Sequence, residues 1–275
     1  MVCHETYKDQ KGNWISPEEI ITIDGKKFLK KDKSQSIIVG PSESMSKSKK
    51  NTIDPEEIIK SYGADSVRLF ILSDSPPEKD VQWSEDGINS AFKFLQKLWI
   101  LNQKIIKEIN SNHPSTDDIE LEKVTNRFTE NVEKNIENFS YNKIIANLYE
   151  TYSALNKLVE KKYDKNNWIK NYKNILITLN PVLPHFANEC LQNLEVEVDK
   201  LVWPKINKKI LIEDKVNFVI QINGKKRGIV ITKKGINQEE LLKEISMDEK
   251  LTTYTVDKSI KKVIFIPDKL MNIII

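Results

Sequence analysis

Apolar positions change their spacing twice along the chain, and each change marks a different kind of element. In the first ~43 residues, short apolar pieces alternate with turn residues. Ile20-Ile21-Thr22-Ile23 and Phe28-Leu29 flank Asp24-Gly25, a pair that favours a tight hairpin because both positions accept positive φ. Lys11-Gly12-Asn13 marks another turn, and Ser36-Ile37-Ile38-Val39-Gly40 predicts a strand. From Ser84 onward apolar residues recur every three or four positions, as on one face of a helix. Four such stripes run from Ile88 to Ile109 (including Phe92, Leu95 and Trp99), Leu121 to Phe139, Ile144 to Val159 and Trp168 to Leu179. Asn110-Ser111-Asn112-His113-Pro114-Ser115 joins the first two. Amphipathic stripes with short connections predict a helical bundle with these aromatics in its core.

After Trp203-Pro204 the period falls to two: Val216, Phe218, Ile220 and Ile222 alternate with other residues. Asn223-Gly224 predicts a second hairpin, with Ile229-Val230-Ile231 returning. Asn237 to Ile245 reads as a capped helix, and Val263 to Ile266 and Leu270 to Ile275 as strands. These elements make a small α+β domain of roughly 60 residues, near the lower limit for independent folding.

Between the strand region and the bundle lies a pair of helices with strong boundary signals. Asp54 is placed as N-cap, Pro55 as first helical residue and Glu57 as the third-position capping partner. Gly63 ends this helix, Asp65 is placed to cap the next from Ser66 to Leu72, and Pro76-Pro77 breaks the chain.

Composition adds bounds. With 275 residues the chain holds about two domains, or three small ones. Its 39% hydrophobic and 30% charged residues describe a soluble protein, and its two widely spaced cysteines fit a reducing cytoplasm. No apolar run approaches the ~20 residues that cross a bilayer, and Met1-Val2-Cys3-His4-Glu5 is not a signal peptide. Cys3 and Cys190 stand far apart without a CxxC pattern, so neither a disulfide framework nor a protein-bound metal is expected. The 43 basic and 40 acidic residues nearly cancel, so a nucleic-acid footprint has to come from local clusters.

Two clusters carry candidate chemistry. Ser44-Met45-Ser46-Lys47-Ser48-Lys49-Lys50-Asn51 sets hydroxyls and ammonium groups just before a helix start, a composition suited to phosphoryl oxygens and equally at home in a solvated loop. Lys225-Lys226-Arg227 sits beside the Asn223-Gly224 turn, where it serves either as a solvated turn or as a contact to a polyanion.

The run Met45 to Asn51, then Ile53-Asp54-Pro55 and Tyr62-Gly63-Ala64-Asp65-Ser66-Val67-Arg68, resembles the second ATP signature of class I aminoacyl-tRNA synthetases. Leu179-Asn180-Pro181, Pro184-His185, Glu189 and Trp203-Pro204 resemble the helical domain of the leucyl, isoleucyl, valyl and methionyl group. Val219 to Gly228 and Lys269 to Ile275 are similar to the terminal domain of the bacterial-type leucyl family. The cysteine zinc site common in isoleucyl relatives and the terminal coiled coil common in valyl ones do not appear. By this resemblance, Lys47 is the catalytic lysine that contacts ATP phosphates and stabilises charge on departing diphosphate. Ser44, Met45, Ser46 and Ser48 are further ATP contacts, and Lys225, Lys226 and Arg227 are tRNA contacts. Ser44 stands where the family has its first lysine, with Lys49 and Lys50 as partial replacements of charge.

The resemblance implies a multidomain, mainly α fold. Residues 1–50 are a β-hairpin-rich distal remnant of the catalytic domain with the ATP loop, and 51–83 a connective segment. Residues 84–205 are an α-helical, anticodon-binding-like bundle, and 206–275 a small α+β tRNA-contacting domain. The implied reaction joins leucine to tRNA(Leu) with ATP, Mg²⁺ arriving with the nucleotide. None of His4, His113 and His185 lies in a His-x-Gly-His setting, and Met1 aligns with an interior stretch of the family. The chain is therefore expected to be inactive alone, because one phosphate loop does not align both reactants. His185 is read as a structural partner. The alternative function is a tRNA-binding module without catalysis.

Overall fold

The structure, a computed structural model, describes residues 1–111, 113–114, 118–211, 215–255 and 258–275. Asn112 and Ser115 of the predicted connection lie outside the described residues. The chain divides into two compact units, Met1–Asn207 and Lys208–Ile275.

In the first unit, strand β1 (Val2–Lys8) is the middle of a three-stranded sheet. The predicted hairpin forms from β2 (Ile20–Ile23) and β3 (Lys26–Leu29), which pair antiparallel with Ile23 opposite Lys26. Asp24 and Gly25 adopt φ of 47° and 75°, so two successive positive-φ residues reverse the chain. Strand β4 (Asp32–Ser36) completes that second sheet, and β5 (Ile38–Ser44) pairs antiparallel with β1. Strand β5 does not stop at Gly40 as predicted: it continues through Pro41 to Ser44. Proline is tolerated there because β5 is an edge strand. Gly40 allows close approach beside a register shift in β1, since a Cβ there would lie 2.5 Å from Thr6 Oγ1. Strand β6 (Val81–Gln82) adds to the other side of β1 in parallel.

Helices α1 (Pro55–Tyr62) and α2 (Ala64–Asp74) follow the loop. The Asp54 carboxylate accepts the Glu56 N–H at 2.9 Å, while Glu57 stays exposed and the expected reciprocal capping box is replaced by this single cap. Gly63, at φ 80°, joins the two helices. Helix α2 starts two residues earlier than predicted, which puts Asp65 inside its first turn instead of at its cap.

Helices α3 (Glu85–Ile109), α4 (Glu120–Glu137), α5 (Tyr141–Leu158) and α6 (Lys165–Leu179) follow the four predicted stripes, and α7 (Pro184–Asn193) adds a fifth helix to the bundle. One hydrophobic core spans α2 to α7, with Trp168, Phe128, Leu121 and Ile144 fully enclosed. The buried face of α3 carries Phe94 and Leu101, whereas Phe92 and Leu95 are only half-buried. Phe92 sits edge-on to Tyr62, and Trp99, 36% exposed, sits edge-on to Phe186. The stripe read from the sequence is thus rotated toward α1 and α7, because several neighbours share this long helix. Phe139 is not a core residue. Helix α4 ends at Glu137, and Phe139 turns the chain at φ 52° with 63% of its surface exposed.

The second unit is a four-stranded sheet in the order β8-β7-β10-β9. Strands β7 (Lys215–Ile222) and β8 (Lys225–Lys233) form a hairpin, and β9 (Lys262–Ile266) and β10 (Leu270–Ile274) another. Strand β10 runs parallel to β7. Helix α8 (Gln238–Met247), capped by Asn237 at Glu240 N, and α9 (Glu249–Thr255) supply Leu241, Ile245 and Leu251 to a core with Phe218, Ile220, Met271 and Ile273. Helix α9 was not foreseen from the sequence.

Candidate functional site

The Ser44–Asn51 segment starts in a sheet and ends in a buried side chain. Ser44 is the last residue of β5, opposite Cys3, so it belongs to the strand and not to the loop. Met45 packs against the core. Lys47–Lys49 form one turn of 3₁₀ helix, closed by Lys49 N to Ser46 O at 3.2 Å and Lys50 N to Lys47 O at 3.2 Å. Lys50 then takes the left-handed conformation at φ 54°. The hydroxyls of Ser46 and Ser48 are 2.7 Å apart, tying the two serines to each other.

The cations of this turn differ in environment. Lys49 forms an ion pair with Glu43, so its charge is already compensated. Lys47 is exposed and forms no ion pair among the described contacts. Lys50 is exposed as well. Of the turn's lysines only Lys49 is paired among the described residues, and the exposed Lys47 ammonium stands between the Ser46 and Ser48 hydroxyls, suited to a phosphoryl oxygen.

Asn51, fully buried, went unremarked as a functional residue in the sequence reading. Its Oδ1 accepts the Ser46 N–H at 2.8 Å. Its Nδ2 donates toward the carbonyls of His4, Glu43 and Ser44 at 3.2, 3.2 and 3.4 Å. The only sequence signal for this role is an amide residue directly after a run of lysines.

The motif residues after the loop have a different use. Asp65 Oδ2 accepts the Phe186 N–H at 2.7 Å, and Asp65 Oδ1 lies 3.0 Å from His185 Nδ1. Asp65 therefore caps α7, whose own N-cap position holds Leu183 and offers no side-chain acceptor. Arg68 donates from Nε to Val182 O at 2.9 Å and from Nη2 to Pro181 O at 2.7 Å. The Tyr62–Arg68 and Leu179–His185 segments are thus one clamp, with His185 a structural partner in it. An adjacent groove of about 930 Å³ is lined by Ile59, Leu95, Trp99, His185, Phe186 and Glu189, among others, and by none of the loop lysines.

In the second unit, Asn223 and Gly224 adopt φ of 49° and 77° and reverse the chain between β7 and β8. Lys225 and Lys226 pair with Ile222 and Gln221, and the register then shifts so that Gly228 faces Ile220. Arg227 is the extra residue of this bulge, a geometry that re-aims a side chain. Its guanidinium lies 4.5 Å from the centre of the Tyr254 ring. All three cations remain exposed.

Among the described residues no group of three His, Cys, Asp or Glu is arranged to hold a metal ion. Burial pushes the Cys190 thiol up to about 12, which keeps it protonated and unreactive. Burial also lowers the His4 imidazole below its ordinary value.

Residues 8–84 match the family described as tRNA synthetases class I (I, L, M and V), and residues 118–244 match the anticodon-binding domain of tRNA ligase. The leucine–tRNA ligase of Bartonella quintana (strain Toulouse) is 38% identical over 290 residues, an alignment covering 100% of this chain and 33% of that protein. The chain is thus similar over its whole length to part of leucine–tRNA ligases. The Orientia tsutsugamushi (strain Boryong) leucine–tRNA ligase is 39% identical over 280 residues with the same two shares. The chain thus spans about a third of the length of the curated relatives it matches. A solved ternary complex, Agrobacterium radiobacter K84 agnB2 LeuRS-tRNA-LeuAMS, shares the fold with a TM-score of 0.66 at 20% identity, over 84% of this chain and 30% of that one. The Lys47 turn lies within the first family match and Lys225–Arg227 within the second. No helix among the described residues is long and apolar enough to cross a membrane.

Proposed function

We propose that the chain serves the leucine–tRNA ligase reaction, in which ATP, L-leucine and tRNA(Leu) give leucyl-tRNA, AMP and diphosphate. Lys47 is its phosphate-handling residue. The observation that carries this reading is the uncompensated Lys47 ammonium on a turn within a class I match, in a chain aligned end to end with leucine–tRNA ligases. Adenylate formation breaks the bond between the α- and β-phosphates, so negative charge grows on the departing diphosphate. A positioned cation there lowers the barrier. Ser46 and Ser48, whose hydroxyls meet at 2.7 Å, shape the turn and lie alongside the triphosphate, with Ser44 and Met45 fixing its entry. Mg²⁺ travels with the nucleotide.

In this reading residues 1–50 carry the ATP loop, 51–83 connect it, 84–205 receive tRNA and 206–275 touch it through Lys225, Lys226 and Arg227. The sequence contains no His-x-Gly-His, so in this reading the adenosine side of the site lies outside these 275 residues. We therefore expect the chain alone not to charge tRNA. A second reading, a tRNA-binding module without catalysis, is favoured by the anticodon-binding match over 118–244.

One experiment separates the two readings. The chain is mixed with the separately produced remainder of the Bartonella quintana ligase, and leucylation of tRNA(Leu) is measured. Charging by the mixture and not by either part supports the ligase reading. Binding of tRNA without charging supports the module, and charging by the chain alone overturns the expectation of inactivity.

A further inference from the structure

We propose that Asn51 is the positioning residue of the phosphate turn: its buried amide locks the Met45–Lys50 segment to the sheet and so fixes where Lys47 stands. The consequence for phosphate rests on the ligase reading above, whereas the locking itself does not.

Apart from the ion pair between Lys49 and Glu43 of β5, the turn has little else to hold it. A 3₁₀ segment of three residues is marginal by itself, and Lys47–Lys49 has no buried residue and no side-chain cap at Ser46. The serine hydroxyls bond to each other and not to the body of the unit. Before the turn, a longer bond from Met45 N to Val2 O at 3.4 Å and the packing of Met45 give a hold on one side.

Asn51 supplies the hold on the other side and reaches back across the turn. The bond from Ser46 N–H to Asn51 Oδ1 closes a ring around Lys47, so the residues on both sides of the lysine are tied to one side chain. Two N–H groups of that amide are shared among the carbonyls of His4 within β1 and of Glu43 and Ser44 at the end of β5. An amide is the side chain that offers an acceptor and two donors together. Asp fills the same space but has only acceptors when ionised, and it sets a carboxylate against three carbonyl oxygens. Ser is too short to span both sides. Because Asn51 is fully enclosed, water does not replace the lost bonds easily.

The test uses the full chain and three variants: Asn51→Asp, Lys47→Ala and the two combined. Hydrogen exchange followed by mass spectrometry reports on residues 45–50, with α5 and α6 as reference. Titration with inorganic tripolyphosphate reports on phosphate handling. Asn51→Asp is expected to speed exchange in 45–50 by about tenfold or more, leave α5 and α6 unchanged, and weaken tripolyphosphate binding by about tenfold. The combined variant is expected to bind no more weakly than Lys47→Ala alone, because Asn51 acts through that lysine. Unchanged exchange in 45–50 overturns the proposal, and so do losses that simply multiply. If binding in the unaltered chain is indifferent to Lys47→Ala, the phosphate reading fails by itself and the exchange result still decides the role of Asn51. Should Asn51→Asp also loosen α5 and α6, Asn51→Ser, which buries no charge, takes its place with the same criteria.

Discussion

Two basic segments of this chain, the turn around Lys47 and the hairpin tip at Lys225–Arg227, each carry three cations and are built in opposite ways. The reversal at the hairpin tip is set by its own sequence, and β10 adds a hold on it through Asn272 Oδ1, which accepts the Gly224 N–H at 3.0 Å. Asn223-Gly224 supplies two positive φ angles, the flanking strands supply the ladder, and the bulge at Arg227 sets its direction. The Lys47 turn is held by side chains around it and by one distant strand: Glu43 compensates Lys49, Asn51 ties the ends, and His4 lends a carbonyl from β1. A local device suits a surface that meets a polyanion without strict geometry. A device fixed from several sides suits a group that has to meet one departing charge at one place.

Four variants test this contrast. The largest effect is expected from Phe218→Ala, because Phe218 is fully enclosed in the small second core. A loss of about 3–5 kcal/mol is expected, which in so small a unit removes its unfolding transition from a calorimetric scan and the hairpin with it. A transition that persists near its original temperature shows that the hairpin does not rely on that core. Asp65→Ala probes a long-range contact like that of Asn51, leaving Phe186 N–H without its acceptor. It is expected to lower the stability of the first unit by about 1–3 kcal/mol, measured by urea unfolding. Full stability would mean that α7 needs no cap from α2.

Charge reversal at Lys225 and Arg227 together is expected to weaken tRNA binding. If each contacts one phosphate, the slope of log affinity against log salt falls in magnitude by about 2. An unchanged slope removes the hairpin from the interface. The smallest effect is expected from Gly224→Ala, which strains a residue at φ 77° in otherwise open space and costs about 1 kcal/mol. A cost several times larger would mean that the tip is held by more than its turn and the Asn272 bond.

The same contrast separates what the sequence makes legible from what it hides. Both hairpins were readable because Asp-Gly and Asn-Gly state their φ preference within two residues. The bundle was readable because four stripes repeat for several turns. Phe94 and Leu101 were missed and Phe139 misassigned because periodicity does not say how many neighbours a helix has or where its last turn ends. Asp65 reads as a local cap until α7 is seen to lack one of its own. At the candidate site, the lysines and serines announced themselves by composition. Asn51, Glu43 and the inclusion of Ser44 in β5 did not, since each depends on β1 and β5 meeting.

We propose that Lys47, and not its paired neighbour Lys49, neutralises charge on the leaving diphosphate. The direct measurement is ATP–pyrophosphate exchange in the ligase reassembled from this chain and the remainder of a relative, comparing Lys47→Ala with Lys49→Ala. A loss of about a hundredfold is expected for Lys47→Ala, on the scale of one preorganised donor, with a loss below about threefold for Lys49→Ala. Near-unaltered exchange with Lys47→Ala would contradict the account.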